Sequence, residues 1–312
     1  MDANGRMPNF FLVGAAKAGT TSLHAYLGQH PQVFMSQFKE PTYFALYGEA
    51  PPPLHRADGS VIPINAAHDL DSYHALYHDA GDAAVLGDAS TFYLVDEHVP
   101  ARLREHVPHA RIAMVLRHPV DRAYSHYLDF RFRGFEPLAS FTEAFRADKE
   151  RVARATTKLD TLWAYRSMGL YAPQVARYRA QFPPEQVKVI LYDDLRADPV
   201  GVMTDLFRFL GLDDGFVPDM TVRHRTAGGD PRSLGLRRAM ERKHGLARRL
   251  ARAIVPAGLR PRVQSVVDRW NSVRPPLDPA VRRALTEVYR ADIAALEPLI
   301  GRDLSSWLDD NR

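Results

Sequence analysis

Lys17 is the lone lysine of the segment Gly14-Ala15-Ala16-Lys17-Ala18-Gly19-Thr20-Thr21-Ser22, directly behind the apolar run Phe10-Phe11-Leu12-Val13. The run, the glycine-bearing turn and the amphipathic stretch Leu23 to Leu27 predict a strand, a loop and a helix N-terminus. That arrangement turns backbone N–H groups toward an anion such as phosphate. Gly14 and Gly19 keep the glycine spacing of a Walker A loop, but Thr20 stands where that loop has its lysine. The segment predicts an anion site that departs from the pattern used for ATP with Mg²⁺.

Other residues able to do chemistry fall at the ends of later apolar runs. Arg117 and His118 follow Arg111 to Leu116, and Ser125 lies eight residues beyond Arg117. Asp88 and Ser90 follow the run Ala83 to Leu86, and Glu40 stands beside Lys39. Asp88 and His118 stand at strand ends that face one crevice.

The elements that must position these residues alternate. Strands are predicted over 9–14, Ala83–Leu86, Arg111–Leu116 and Val187–Tyr192, and helices near 19–29, 69–78, 96–106, 170–181 and 198–211. Pro119 falls at a helix N1 position and Gly211 at a C-cap. Val33-Phe34-Met35 is a short apolar piece, and 48–66, rich in Pro, Gly and Ala, reads as a surface loop. The alternation predicts an α/β fold with a parallel sheet and helices on both faces, which gathers ligands at the strand C-termini. After about residue 212 the strand signal stops. A loop over 213–235 leads to an Arg-rich stretch, 232–262, with ten Lys or Arg against the single acid Glu241, and 279–308 reads as an amphipathic helix. The chain is expected to be one domain, with an α/β nucleotide-binding core over 1–212 and a loop and helical part over 213–312.

The 312 residues, 46% hydrophobic and 25% charged, are ordinary for a soluble globular protein. There is no cysteine, which excludes disulfides, thiol catalysis and thiolate metal sites, and no metal is expected. A formal charge of +4 favours anionic ligands without demanding nucleic acid. The apolar stretch near the N-terminus is interrupted by Lys17 and is too short for a secretory core, and no window approaches a membrane span. A cytoplasmic, bacterial enzyme is the expectation.

Several of these segments, in order along nearly the whole chain, resemble the sulfotransferases that use 3′-phosphoadenosine 5′-phosphosulfate (PAPS). Lys17-Ala18-Gly19-Thr20-Thr21-Ser22-Leu23 is similar to their 5′-phosphosulfate loop, and Arg117 to Tyr127 to their 3′-phosphate motif. Lys39-Glu40-Pro41-Thr42-Tyr43-Phe44, Gly87 to Tyr93, Gly169-Leu170-Tyr171 and the tail Gly301 to Trp307 add to the match, nearest in character to the heparan-type carbohydrate branch. The resemblance implies a P-loop-like three-layer fold and PAPS as donor without a metal. It places the phosphosulfate on the amides of Gly19 to Ser22, Lys17 on the oxygen bridging phosphorus and sulfur, and Arg117 and Ser125 on the 3′-phosphate. It further implies Glu40 as general base, with His118 and Asp88 as rivals, and Arg232 on a loop closing over the nucleotide. The acceptor is expected to be a carbohydrate, lipid or other small molecule. Where heparan-type members often carry a lysine before the serine of the second strand end, this chain has Ala89. That departure weakens the case for a highly sulfated polysaccharide.

Two other readings compete. A P-loop kinase or NTPase would use Val187 to Asp194 as a strand ending in a Walker B aspartate. A non-catalytic binder of nucleic acid or acidic polymer would use 232–262, which could equally lie on a membrane surface or pack on the domain as an amphipathic helix.

Overall fold

Arg111–Leu116 is apolar after its first residue because it runs through the middle of the molecule, and Ile112 to Leu116 are wholly buried. Strands covered on both faces read as continuous apolar runs in this way. The computed structural model describes residues 6–221, 230–231, 266 and 272–309. In chain order the strands are β1 (Phe10–Leu12), β2 (Val33–Met35), β3 (Leu54–His55), β4 (Val61–Ile62), β5 (Val85–Asp88), β6 (Arg111–Leu116), β7 (Val187–Leu191), β8 (Asp230–Pro231) and β9 (Ser272–Val273). Five form one parallel sheet in the order β2-β5-β1-β6-β7. β3 pairs antiparallel with β4, and β8 with β9.

The helices around the sheet are α1 (Thr20–Leu27), α2 (Tyr43–Leu46), α3 (Leu70–Ala75), α4 (Val99–His106), α5 (Pro119–Arg133), α6 (Phe141–Arg146) and α7 (Asp148–Arg154). They continue with α8 (Tyr171–Gln181), α9 (Tyr192–Ala197), α10 (Pro199–Leu210), α11 (Pro279–Glu287), α12 (Arg290–Ile300) and α13 (Ser305–Leu308). β1 lies between β5 and β6, so the chain leaves it toward one side of the sheet and returns to cross to the other. A reversal of this kind opens a crevice beyond the strand ends. The ends of β1 and β6 deliver the 14–19 loop and Arg117 to that crevice, and β5 ends in the buried Asp88 to Ser90 beneath it.

The predicted α/β fold and its parallel sheet are present, with boundaries moved by a few residues. Val33–Met35 is an edge strand, and the expected loop 48–66 holds the hairpin β3–β4. The helix expected over 198–211 is preceded by the separate α9. Asp198 lies between the two helices, its carboxylate accepting from the Gly201 N–H, and Gly211 caps the second with a φ of 68°. The single helix expected over 279–308 is three. The first break falls at Tyr289, which is buried and donates its hydroxyl to the Arg166 carbonyl at 3.0 Å, and the second at Gly301, whose φ is 63°. A left-handed glycine stops a helix because the backbone cannot continue its ladder from there.

Candidate active site

The 14–19 loop is clasped from two sides. A side chain on Gly14 would lie 2.8 Å from Leu94 Cβ, and one on Gly19 would lie 2.9 Å from Leu195 Cδ2 and 3.3 Å from Tyr192. Gly19 has a φ of 95°, which glycine adopts without strain and which turns the chain into α1. No side chain caps α1 and no acidic residue stands in its first turn. The first N–H groups of such a helix lack intrahelical partners and carry its positive dipole end.

Lys17 has a φ of 69°, and its side chain is 17% exposed. Its ammonium lies 3.6 Å from Asp129 Oδ2 of α5. Burial pushes the Lys17 pKa down, and the Asp129 carboxylate works against that depression. Arg117 donates from Nη1 to the Lys17 carbonyl at 3.0 Å, and its guanidinium lies 4.8 Å from the centre of the Tyr192 ring. Two turns separated by a hundred residues are therefore tied by one hydrogen bond. Ser125 lies on α5 two turns into the helix that Pro119 opens, and is partly exposed.

Glu40 reaches the same region from the segment after β2. Its carboxylate accepts from the Thr91 N–H at 2.7 Å and from Thr91 Oγ1 at 3.1 Å, and pairs with Lys39 at 2.6 Å. Thr91 is also a wall of the 14–19 loop, since its carbonyl lies 3.3 Å from the Gly14 Cβ position. The Glu40 side chain remains 39% exposed, open to a ligand in the crevice.

The other two expected proton acceptors do not face the crevice. Asp88 is wholly buried at the end of β5 and accepts from Tyr73 Oη at 2.7 Å, Tyr93 Oη at 2.9 Å and Ser90 Oγ at 2.7 Å. Burial raises its pKa to about 6 despite those three donors. His118 is 1% exposed, and its Nε2 lies 2.8 Å from the Trp307 carbonyl. A carbonyl only accepts, so Nε2 carries the proton and is spent on this contact. Both expectations are corrected by the same physics: a group at a strand end can face the layer beneath instead of the crevice.

Sequence reasoning missed the polar stripe of α5. Arg122, His126, Asp129 and Arg133 recur at helical spacing, with Ser125 beside them. Arg122 is wholly buried and donates to the Tyr165 carbonyl at 2.5 Å and to His126 Nδ1 at 3.3 Å. His126 thus accepts at Nδ1. Burial, followed by the charges of Arg122, Lys17 and Arg133, holds its pKa well below the ordinary histidine value. Asp129 also takes Arg133 Nε at 3.3 Å. The spacing was visible, but nothing in it distinguished a site wall from a buried face.

The aspartates that imitated a Walker B strand end are engaged elsewhere. Asp193 accepts from Trp307 Nε1 at 3.3 Å, and Asp194 pairs with Arg302 at 2.8 Å. Arg232 and the whole Arg-rich stretch 232–262 lie outside the described residues. Among the described residues, no group of three or more His, Asp or Glu side chains could hold a metal ion, and no helix is long and apolar enough to cross a membrane.

A family model described as Sulfotransferase family matches residues 8–216, which contain the 14–19 loop, Glu40, Arg117 and all of α5. The chain belongs to the sulfotransferase family. A crystal structure of a sulfotransferase from Alicyclobacillus acidocaldarius is 32% identical, with a TM-score of 0.74 over 97% of this chain and all of that one. Human bifunctional heparan sulfate N-deacetylase/N-sulfotransferase 3 is 30% identical over 213 residues, covering 66% of this chain and 22% of the relative. The Drosophila melanogaster bifunctional enzyme of the same description is 25% identical over 216 residues, covering 66% and 20%. The chain spans about a fifth of the length of these curated relatives. These matches do not favour a kinase or NTPase reading.

Proposed function

We propose that this sulfotransferase moves the sulfuryl group of PAPS in line onto a hydroxyl or amine of a carbohydrate or other small-molecule acceptor, with lipids kept as a further class. The observation that carries the reading is the position of Lys17. It is a largely buried cation in a loop that Arg117 ties down, beside an uncapped helix N-terminus without acids.

In this reading the amides of Gly19 to Ser22, with Lys17 and Ala18 forming the loop before them, receive the 5′-phosphosulfate. Lys17 meets the oxygen that bridges phosphorus and sulfur, where negative charge grows as the bond breaks. A cation fixed there favours the transition state over the ground state. One Arg117 donor is spent on the loop, leaving others for the 3′-phosphate together with Ser125. Glu40 takes the acceptor proton. It is preferred over Asp88 and His118 because its carboxylate is open to a ligand while theirs are spent on buried partners. No metal is required in this scheme, since Lys17 supplies the countercharge. Arg232 is retained as the closing residue on the 3′-phosphate.

The N-sulfotransferase relatives support an amine among the acceptors, and the match over 66% of the chain supports treating 1–312 as one sulfotransferase domain with its core in 1–212. The C-terminal elements are docked on that core through Asp292, which accepts from the Tyr171 and Ala172 amides. A cytoplasmic, bacterial setting remains part of the proposal, as does the absence of a nucleic-acid partner.

Titration calorimetry with the desulfonated product, 3′-phosphoadenosine 5′-phosphate (PAP), tests the donor against ATP with Mg²⁺. PAP is expected to bind and ATP with Mg²⁺ to bind far more weakly; the reverse order overturns the reading. Lys17→Ala should lower turnover with PAPS about a hundredfold or more, the scale seen when a transition-state charge contact is lost.

A further inference from the structure

Lys17 has two possible anionic partners: the donor proposed above, and Asp129 on α5. We propose that Asp129 is a positioning residue that parks the Lys17 ammonium in the ligand-free enzyme and releases it to the incoming phosphosulfate. The inference rests on the donor reading and deepens it.

Three observations carry it. Asp129 is 7% exposed at its side chain and stands 3.6 Å from Lys17 Nζ, so the contact is made in a largely water-excluded place. A buried ammonium without a counter-ion sheds its proton, and an uncharged amine could not stabilise the bridging oxygen. Second, Asp129 holds another cation, Arg133, through Nε at 3.3 Å, and that side chain is half exposed. When Lys17 leaves for the donor, the carboxylate keeps Arg133 and is not stranded, which removes the main penalty of opening a buried pair. Third, the Lys17 backbone is pinned by Arg117, so movement is confined to the side chain. The loop stays in place while the four-carbon stem swings.

The charged and titratable groups acting on Lys17 are Asp129 and Arg133 of α5, and Arg274 after β9. His126, also on α5, is held neutral, and Arg122 faces it. Asp129 is the acid in this set. The two α5 residues push in opposite directions: Asp129 favours the charged lysine, and Arg133 disfavours it both directly and by sharing the carboxylate.

The test is acetylation of Lys17 by a limiting N-hydroxysuccinimide ester across pH 6 to 11, read by mass spectrometry of the Lys17 peptide. It is run on the full chain, on Asp129→Asn and on Arg133→Ala, with folding checked by circular dichroism. Uncharged amines alone react, so the pH midpoint of labelling reports the lysine itself. Asp129→Asn is expected to lower that midpoint and speed labelling at pH 8 about three- to tenfold. Arg133→Ala is expected to raise the midpoint and slow labelling. In turnover with PAPS, the alkaline limb of the kcat/KM profile, which reports the free enzyme, should move with the same signs. A merely structural loosening by Asp129→Asn would expose Lys17 and raise its midpoint. That result, or an unchanged midpoint in both variants, overturns the proposal. Should Asp129→Asn fail to fold, the sign of the Arg133→Ala shift decides alone. The donor reading is judged separately by whether PAP shields Lys17 from the reagent in the unaltered chain.

Discussion

Glu40 shows how a residue can be legible in a sequence and still not be understood from it. The motif around Lys39-Glu40-Pro41 marks the carboxylate, and the adjacent Lys39 is an obvious partner for an ion pair. The folded chain contains that pair, but it also places both carboxylate oxygens on Thr91, a residue that walls the Lys17 loop. Glu40→Gln is therefore expected to keep most of these hydrogen bonds while losing the basic site. Turnover with PAPS should fall by about two to four orders of magnitude, the range for a lost general base, with PAP affinity changed less than threefold. Steady-state kinetics paired with calorimetry checks this, and a fully active variant returns the base to an unassigned group. Lys17, Arg117 and Glu40 could be found because each sits in a short local pattern. Asp129 could not, because its meaning depends on a contact 112 positions away along the chain.

Elements were readable where their patterning is strong. The apolar β6 and the start of α5 at Pro119 are as the sequence predicts, since a long buried run and a proline in the first helical turn leave little choice. β2, at three residues, and the hairpin β3–β4 were not, because such short pieces hold their shape only through a neighbouring strand. β5 illustrates what an element can hide at its end. Asp88 receives three hydroxyls and is wholly buried, so its position beneath the crevice is structural. Its folded pKa of about 6 lies above the ordinary value of 3.8, so the folded state binds the proton more tightly than the unfolded state. The contribution of Asp88 to stability is therefore greatest below pH 3.8 and declines as pH rises to about 6. At 1.4 kcal/mol per pH unit this decline is on the order of 3 kcal/mol. Asp88→Asn should flatten that interval in urea midpoints measured from pH 4 to 7. An unchanged slope would show that the group does not titrate in this range.

At the scale of the whole molecule, the C-terminal elements back the strand end of β6 from behind the site. Trp307 is 1% exposed, its carbonyl accepts from His118, and its indole N–H reaches Asp193. His118 adjoins Arg117, so the tail supports the strand end that ties down the Lys17 loop. Trp307→Ala is expected to cost about 3–5 kcal/mol of stability, as for other large buried aromatics. It should also weaken PAP binding several-fold although Trp307 stands behind the site; chemical denaturation and calorimetry check the two effects. In the sequence Trp307 is only the end of a tail segment that matches the family. Its link to the nucleotide side depends on a contact across 189 positions, which no local pattern encodes.

The small ladder between β8 and β9 has a different consequence. Asp230 faces Val273 and Pro231 faces Ser272, and this pair of strands lies against α5, the helix of Ser125 and Asp129. Residues 231 and 272 are thereby held side by side next to the helix of the site, so a substitution in this ladder bears on the wall that carries Ser125 and Asp129.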